Sequence, residues 1–279
     1  MPTPMTRYAV NRLLNKRLIE GLVIRREDEL GEETAARMKR LLSRAKAVFE
    51  LMERYREAGY SLLLPGDELW PERLNVLGMH TPLFLFVRGN LDILNRKRIA
   101  VAGSRSILPD TAVRAQRLGQ RLAMEGICVV AGGAPGVDHS AQSGALEADG
   151  CAIVVPARPA AEIMREYGEE IARGSLLMLC DTLPDEPFSP QKALTRNHTI
   201  YALGDAAVVA AAREGIGGSW RGAMDCLQEG WTPVFVPDEE SPDLQGCRAL
   251  IAHGARPMPA DDAALIPLLF NTERQISLL

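Results

Sequence analysis

Apolar and polar positions follow two different rhythms along this chain, and the change falls near residue 60. Upstream, Ala36, Leu41, Leu42, Ala45, Val48, Phe49, Met52 and Tyr55 recur close to every 3.6 residues, which predicts a long amphipathic helix over Glu32 to Ala58 that stops at Gly59. Tyr8, Val10, Leu13, Leu14, Leu18 and Ile19 predict a shorter helix ending near Gly21. Together they make a small helical region over residues 1–60. Downstream, the pattern becomes short unbroken apolar runs: Leu83 to Val87, Arg98 to Ala102, Ile127 to Ala131, Cys151 to Pro156, Ser175 to Cys180, Ala206 to Ala211 and Pro233 to Pro237. Strands that are apolar at every position need cover on both faces, and the intervals leave room for crossover helices. Those helices are predicted over Asp110 to Glu125, Asp138 to Asp149, Ala160 to Ala172, Lys192 to Ala202 and Ser219 to Glu229, several opened by an Asp or Ser cap. The expected fold class is α/β. Residues 61–279 should form a Rossmann-like, doubly wound, mostly parallel sheet preceded by the small N-terminal helical segment.

Composition narrows the picture. With 279 residues and 47% hydrophobic content the chain can bury a full core. No apolar run approaches the roughly 20 residues that span a bilayer, and the N-terminus lacks a signal-peptide core, so a cytoplasmic protein without a membrane partner is expected. Cys128, Cys151, Cys180, Cys226 and Cys247 are scattered, with no C-x-x-C pair, and read as core thiols rather than metal ligands or disulfides. Net charge is −4, but residues 1–60 carry 13 Lys and Arg against 9 Asp and Glu. A polyanion site must therefore be a local patch and not a whole-surface field.

In a doubly wound sheet, ligands sit outside the carboxyl ends of the strands, where the strand order reverses. Four loops there carry suitable chemistry. Gly103-Ser104-Arg105 offers close backbone approach, a hydroxyl and a forked cation. The turn Gly132-Gly133-Ala134-Pro135-Gly136 can aim amides at an anion. Arg196-Asn197 sets a guanidinium beside an amide, and Gly217-Gly218-Ser219 repeats a strand-turn-helix arrangement. A dinucleotide site would need G-x-G-x-x-G after the first strand, and a P-loop would end in Gly-Lys-Ser/Thr; neither is present. No Ser-His-Asp set, carboxylate pair or metal-ligand spacing stands out, so catalytic residues, a metal and a cofactor are all expected to be lacking. His139 and His198 are expected to flank the pocket.

The order of these loops resembles the DNA-processing protein A (DprA, or Smf) family. Trp70-Pro71-Glu72-Arg73-Leu74 is similar to the family's Tyr-Pro-x-x-Leu, and Leu85 to Asn90 to its Leu-x-x-x-Gly-Asn. Gly103-Ser104-Arg105, the Ala131 to Asp138 turn, Arg196 to Leu203, and Gly217-Gly218-Ser219 with Val234 to Asp238 follow in the family's sequence, covering roughly Gly66 to Leu269. The chain is identified as a divergent, minimal member. That resemblance implies a non-enzymatic, dimeric protein that binds single-stranded DNA and helps load a RecA-type recombinase during DNA uptake or recombination. It assigns phosphate binding to Gly103, Ser104, Arg105, Gly132, Gly133, Gly136, Arg196, Asn197, Gly218 and Ser219. Arg105 and Arg196 would pair phosphates bidentately. Pro135 and His198 stand where the family pattern carries arginine, which predicts a less cationic pocket. The same glycine loops would suit a shorter phosphorylated ligand, so a nucleotide-sensing protein remains the alternative.

Overall fold

The computed structural model describes residues 45–259 and 262–270, together with Ala36 and Ser43. Contacts divide the chain into two units, Met1–Asp67 and Glu68–Leu279. The helix expected over Tyr8 to Ile19 lies outside the described residues.

In the first unit, α1 (Ala45–Glu57) falls within the span where the long amphipathic helix is expected, and Ala36 and Ser43 are also helical. Its end coincides with Gly59, whose φ of 86° lets the Tyr60 N–H reach back to the Tyr55 carbonyl at 2.9 Å. A short strand, β1 (Ser61–Leu63), follows.

The second unit is built on a sheet. Its strands are β2 (Leu85–Gly89), β3 (Arg98–Gly103), β4 (Cys128–Ala131), β5 (Ala152–Val154), β6 (Leu176–Cys180), β7 (Ala206–Ala211), β8 (Val234–Val236) and β9 (Arg256–Pro257). Their spatial order is β2-β6-β5-β4-β3-β7-β8-β9. Neighbours from β6 through to β9 run parallel, whereas β2 lies antiparallel on β6 with Phe86 opposite Cys180. The chain therefore winds from β3 out to β6, returns to the other side of β3 with β7, and continues to β9. The order reverses between β3 and β7.

Helices α2 (Pro109–Met124), α3 (Val137–Glu147), α4 (Ala160–Arg173), α5 (Pro190–Leu203) and α6 (Gly217–Glu229) are the crossovers expected from the sequence. Beyond them lie α7 (Gln245–Ala252) and α8 (Asp262–Phe270), which the apolar pattern did not announce. The fully apolar runs are buried as a covered sheet requires: every residue of β4, β5, β6 and β8 is buried. Helices α2 and α3 approach so closely that a Cβ on Gly119 would run into the Ala141 carbonyl, and one on Gly144 into that of Gln116. Arg98 pins the start of β3: its Nε donates to the Leu203 carbonyl at 2.8 Å and its backbone N–H to Asp205 at 2.9 Å.

None of Asp110, Asp138 and Ser219, which open predicted helices, caps its helix: Leu108, Gly136 and Ile216 hold those positions without a side-chain cap. Ser189 caps α5, its hydroxyl accepting from the Lys192 N–H at 3.1 Å. Asp138 is not the cap of α3. Gly136 takes that position at φ 87°, and the Asp138 carboxylate turns back to accept from the Gly132 N–H at 3.0 Å.

Candidate functional site

At the carboxyl ends of β3 and β7 opens a cleft of about 1040 Å³. Its position follows from the winding, because the loops after β3 and β7 diverge to opposite faces of the sheet and leave a crevice between them. The loop after β3 contributes Gly103, Ser104, Arg105 and Ser106; α5 contributes Leu194, Arg196, Asn197 and Ile200. The turn Arg213–Ile216 and the first two turns of α6 form the opposite wall.

Of the sequence-predicted residues, Gly103, Ser104, Arg105, Arg196, Asn197, Gly218 and Ser219 line this cleft, and Gly132, Gly133 and Gly136 do not. The glycine turn is used inward. Gly132 gives its N–H to Asp138 and lies against the Arg196 guanidinium, the Gly133 carbonyl accepts from Arg158 at 3.1 Å, and a Cβ on Gly136 would strike the carbonyls of Ser104 and Arg105. An Asp side chain occupies the turn, so its amides do not present the open anion nest expected of them. Ser104 is similarly engaged, its N–H donating to the Ala211 carbonyl at 3.0 Å.

Arg196 also departs from the expected role. It is only 4% exposed, its Nη1 donates to the Val155 carbonyl at 2.8 Å, and it sits among the buried carboxylates of Asp138 and Asp181. With Nη1 bonded to Val155 and Nε buried, the guanidinium is turned inward, so Arg196 forms the cleft floor rather than the open bidentate fork expected of it. Burial pushes its pKa down, opposed by Asp138 and Asp181. Burial likewise pushes both aspartates up, with Arg196 pulling the other way.

Exposed cations line the cleft instead. Arg105, Arg213 and Arg221 are solvent-exposed, and among the described residues none of them forms an ion pair. Arg105 stands over the ring of Phe188, 5.7 Å from its centroid, and Phe188 is itself 47% exposed in the lining. The N-terminus of α6 opens into the cleft without a side-chain cap, which leaves a partial positive charge at Gly217, Gly218 and Ser219. Asn197 holds that end in place, its Nδ2 donating to the Gly218 carbonyl at 3.2 Å. Trp220 lines the same wall, with its ring edge-on to His253 at 6.0 Å.

Sequence reasoning missed Arg213, Arg221 and Phe188. The first could have been found from its place just past a predicted strand at the reversal point, and the second from its place in the opening turns of a predicted helix. Neither His139 nor His198 lines the cleft: His139 Nδ1 lies 2.9 Å from the Tyr167 hydroxyl, and His198 Nε2 lies 3.1 Å from Asp225. Pro135 is also outside the lining. The two positions expected to weaken the cleft's charge therefore do not face it.

The fold and the cleft together define a Rossmann-like protein with a cleft lined by exposed arginines at the reversal point of the sheet. The family described as DNA recombination-mediator protein A matches residues 61–266, and the chain belongs to that family. It is 30% identical over 255 residues to DNA processing protein DprA of Mycobacterium tuberculosis (strain H37Rv), covering 82% of this chain and 61% of that protein. The chain thus spans about 61% of the length of the first curated relatives it matches. It is 28% identical over 194 residues to DNA processing protein DprA of Streptococcus pneumoniae (strain R6), 68% of each chain. The X-ray structure of DprA from Streptococcus pneumoniae superposes with a TM-score of 0.64 at 27% identity, over 71% of each chain. DNA processing protein A from Helicobacter pylori, whose structure concerns that protein's single-stranded DNA binding mode, shares the fold with a TM-score of 0.63 at 24% identity, over 75% of this chain and 95% of that one.

Proposed function

We propose that the cleft binds single-stranded DNA and that the protein acts, as a cytoplasmic homodimer, in handing such strands to a RecA-type recombinase. The observation that carries the binding reading is the set of three exposed arginines, Arg105, Arg213 and Arg221, arranged with the open N-terminus of α6 around one cleft. Cations that pair with no carboxylate among the described residues are free to replace the counterions of a phosphate backbone. Phe188 and Trp220 add exposed or half-exposed ring surface on which bases without a pairing partner can stack. The recombinase part of the reading draws support from the family's description as a recombination mediator. Binding, not catalysis, is the proposed role: the Asp138 carboxylate at the cleft floor is tied to the Gly132 N–H, and the Asp225 carboxylate on the wall is held against His198.

The test is a salt titration with an oligothymidylate. Affinity is expected to fall linearly on a double-logarithmic plot, and Arg105→Ala should reduce the slope by about 0.7. Salt-independent binding, or a slope unchanged by Arg105→Ala, would overturn the reading.

A further inference from the structure

The cleft contains two carboxylates, Asp138 and Asp225, and they are not alike. Asp138 is buried and bonded inward, whereas the Asp225 side chain is 36% exposed on the wall of the cleft. Asp225 follows Arg221 by one turn of α6, so the carboxylate stands in the path of whatever the arginine attracts. It is also oriented. Its Oδ2 lies 3.1 Å from His198 Nε2, and the His198 ring is wedged between Trp231, with centroids 4.6 Å apart, and His80 at 5.9 Å.

A carboxylate only accepts hydrogen bonds, and it repels a phosphate oxygen. A strand whose backbone is drawn to Arg105, Arg213 and Arg221 can therefore meet Asp225 favourably only with the donor edge of a base. In a single strand that edge is unpaired and available. Guanine presents N1–H and N2–H side by side, which match two acceptor sites of a carboxylate. Thymine presents one N–H flanked by two carbonyls that the carboxylate repels. We infer that Asp225, held by His198, is a base-reading residue that selects guanine over thymine in the bound strand. The inference rests on the single-strand reading above, with His198 as the positioning residue.

The experiment compares oligothymidylate with strands of equal length carrying isolated guanines, or inosines in their place, by fluorescence anisotropy on the full chain. Guanine-bearing strands are expected to bind about fivefold more tightly than oligothymidylate, and inosine, which lacks the N2 amino group, should lose part of that gain. Asp225→Ala should bring the guanine-to-thymine ratio to about one with the salt slope kept. His198→Gln should shrink the ratio while Asp225 remains. Because the readout is a ratio measured on one preparation, partial misfolding of a variant cancels. Tight binding of all strands without preference, or a preference that persists in Asp225→Ala, overturns this inference alone. A wild-type protein that binds no strand overturns the functional reading and this inference with it.

Discussion

Arg196 and Gly132 share one space. The guanidinium of Arg196, donating through Nη1 to the Val155 carbonyl, fills the position where a side chain on Gly132 would begin. The floor of the cleft is thus a charged group packed on bare backbone, with Asp138 closing the turn above it and Asp181 on its other side.

Gly132→Ala should therefore displace Arg196, since a methyl group there would overlap the guanidinium. Overpacking of this kind costs about 1–3 kcal/mol. Urea unfolding should show a lowered midpoint with an unchanged m-value, and a midpoint equal to wild type would refute the packing argument.

Removing the cation should also cost stability. Arg196→Ala leaves the buried Val155 carbonyl without its donor and takes a positive charge away from Asp138 and Asp181, a loss of about 1–3 kcal/mol. The same unfolding experiment measures it. A loss under about 1 kcal/mol would mean that the aspartates do not depend on Arg196.

The pH dependence follows from the direction of the aspartate shifts. Burial raises the Asp181 pKa in the folded protein, so the folded state holds that proton more tightly than the unfolded chain. The contribution is complete below the unfolded value of about 3.9 and is lost as pH rises through the raised folded pKa. Asp181→Asn, which cannot ionise, should gain stability relative to wild type as pH is raised across that window. Chemical denaturation at a series of pH values tests this, and a constant difference between the two proteins would contradict it.

Thiol reactivity offers an independent check on burial. All five cysteines are buried, and desolvation pushes Cys180, Cys226 and Cys247 up to about 12. Little thiolate exists there at neutral pH, so a disulfide reagent should label these three only after denaturant is added. Rapid labelling of the native protein at any of the three would show that the core opens.

Among the cations, position in the cleft should decide function. Arg213→Ala and Arg221→Ala are each expected to reduce the salt slope of oligonucleotide binding as Arg105→Ala does. Arg158→Ala should not, because Arg158 is tied to Glu166 and to the Gly133 carbonyl and lies outside the lining. Equal effects at Arg158 and Arg213 would show that overall charge, rather than the cleft, governs binding.

How far the site could be read in advance varies from residue to residue. Gly103, Arg105 and Gly218 were legible because a glycine or arginine just after a strand, or at the start of a helix, has few places to go in a doubly wound sheet. Asp138 was misread as a cap because a capping Asp and a turn-closing Asp occupy neighbouring positions with the same local sequence. His198 and Pro135 were expected to bear on the pocket's charge, and helical phase and turn geometry aim them elsewhere.

The sequence by itself determined the strand and crossover pattern. Runs such as Cys128 to Ala131 and Leu176 to Cys180 are apolar at every position, and only a sheet covered on both faces gives each side chain an apolar neighbour. It also determined that the reversal point would carry glycines and cations. The tertiary structure decided the antiparallel placement of β2, which depends on a pairing with β6 across some ninety residues of chain. It decided as well which arginines serve the interior and which face solvent. Arg196 and Arg105 are indistinguishable by residue type, and only the packing of α5 against the β4 and β5 loops buries one and leaves the other free.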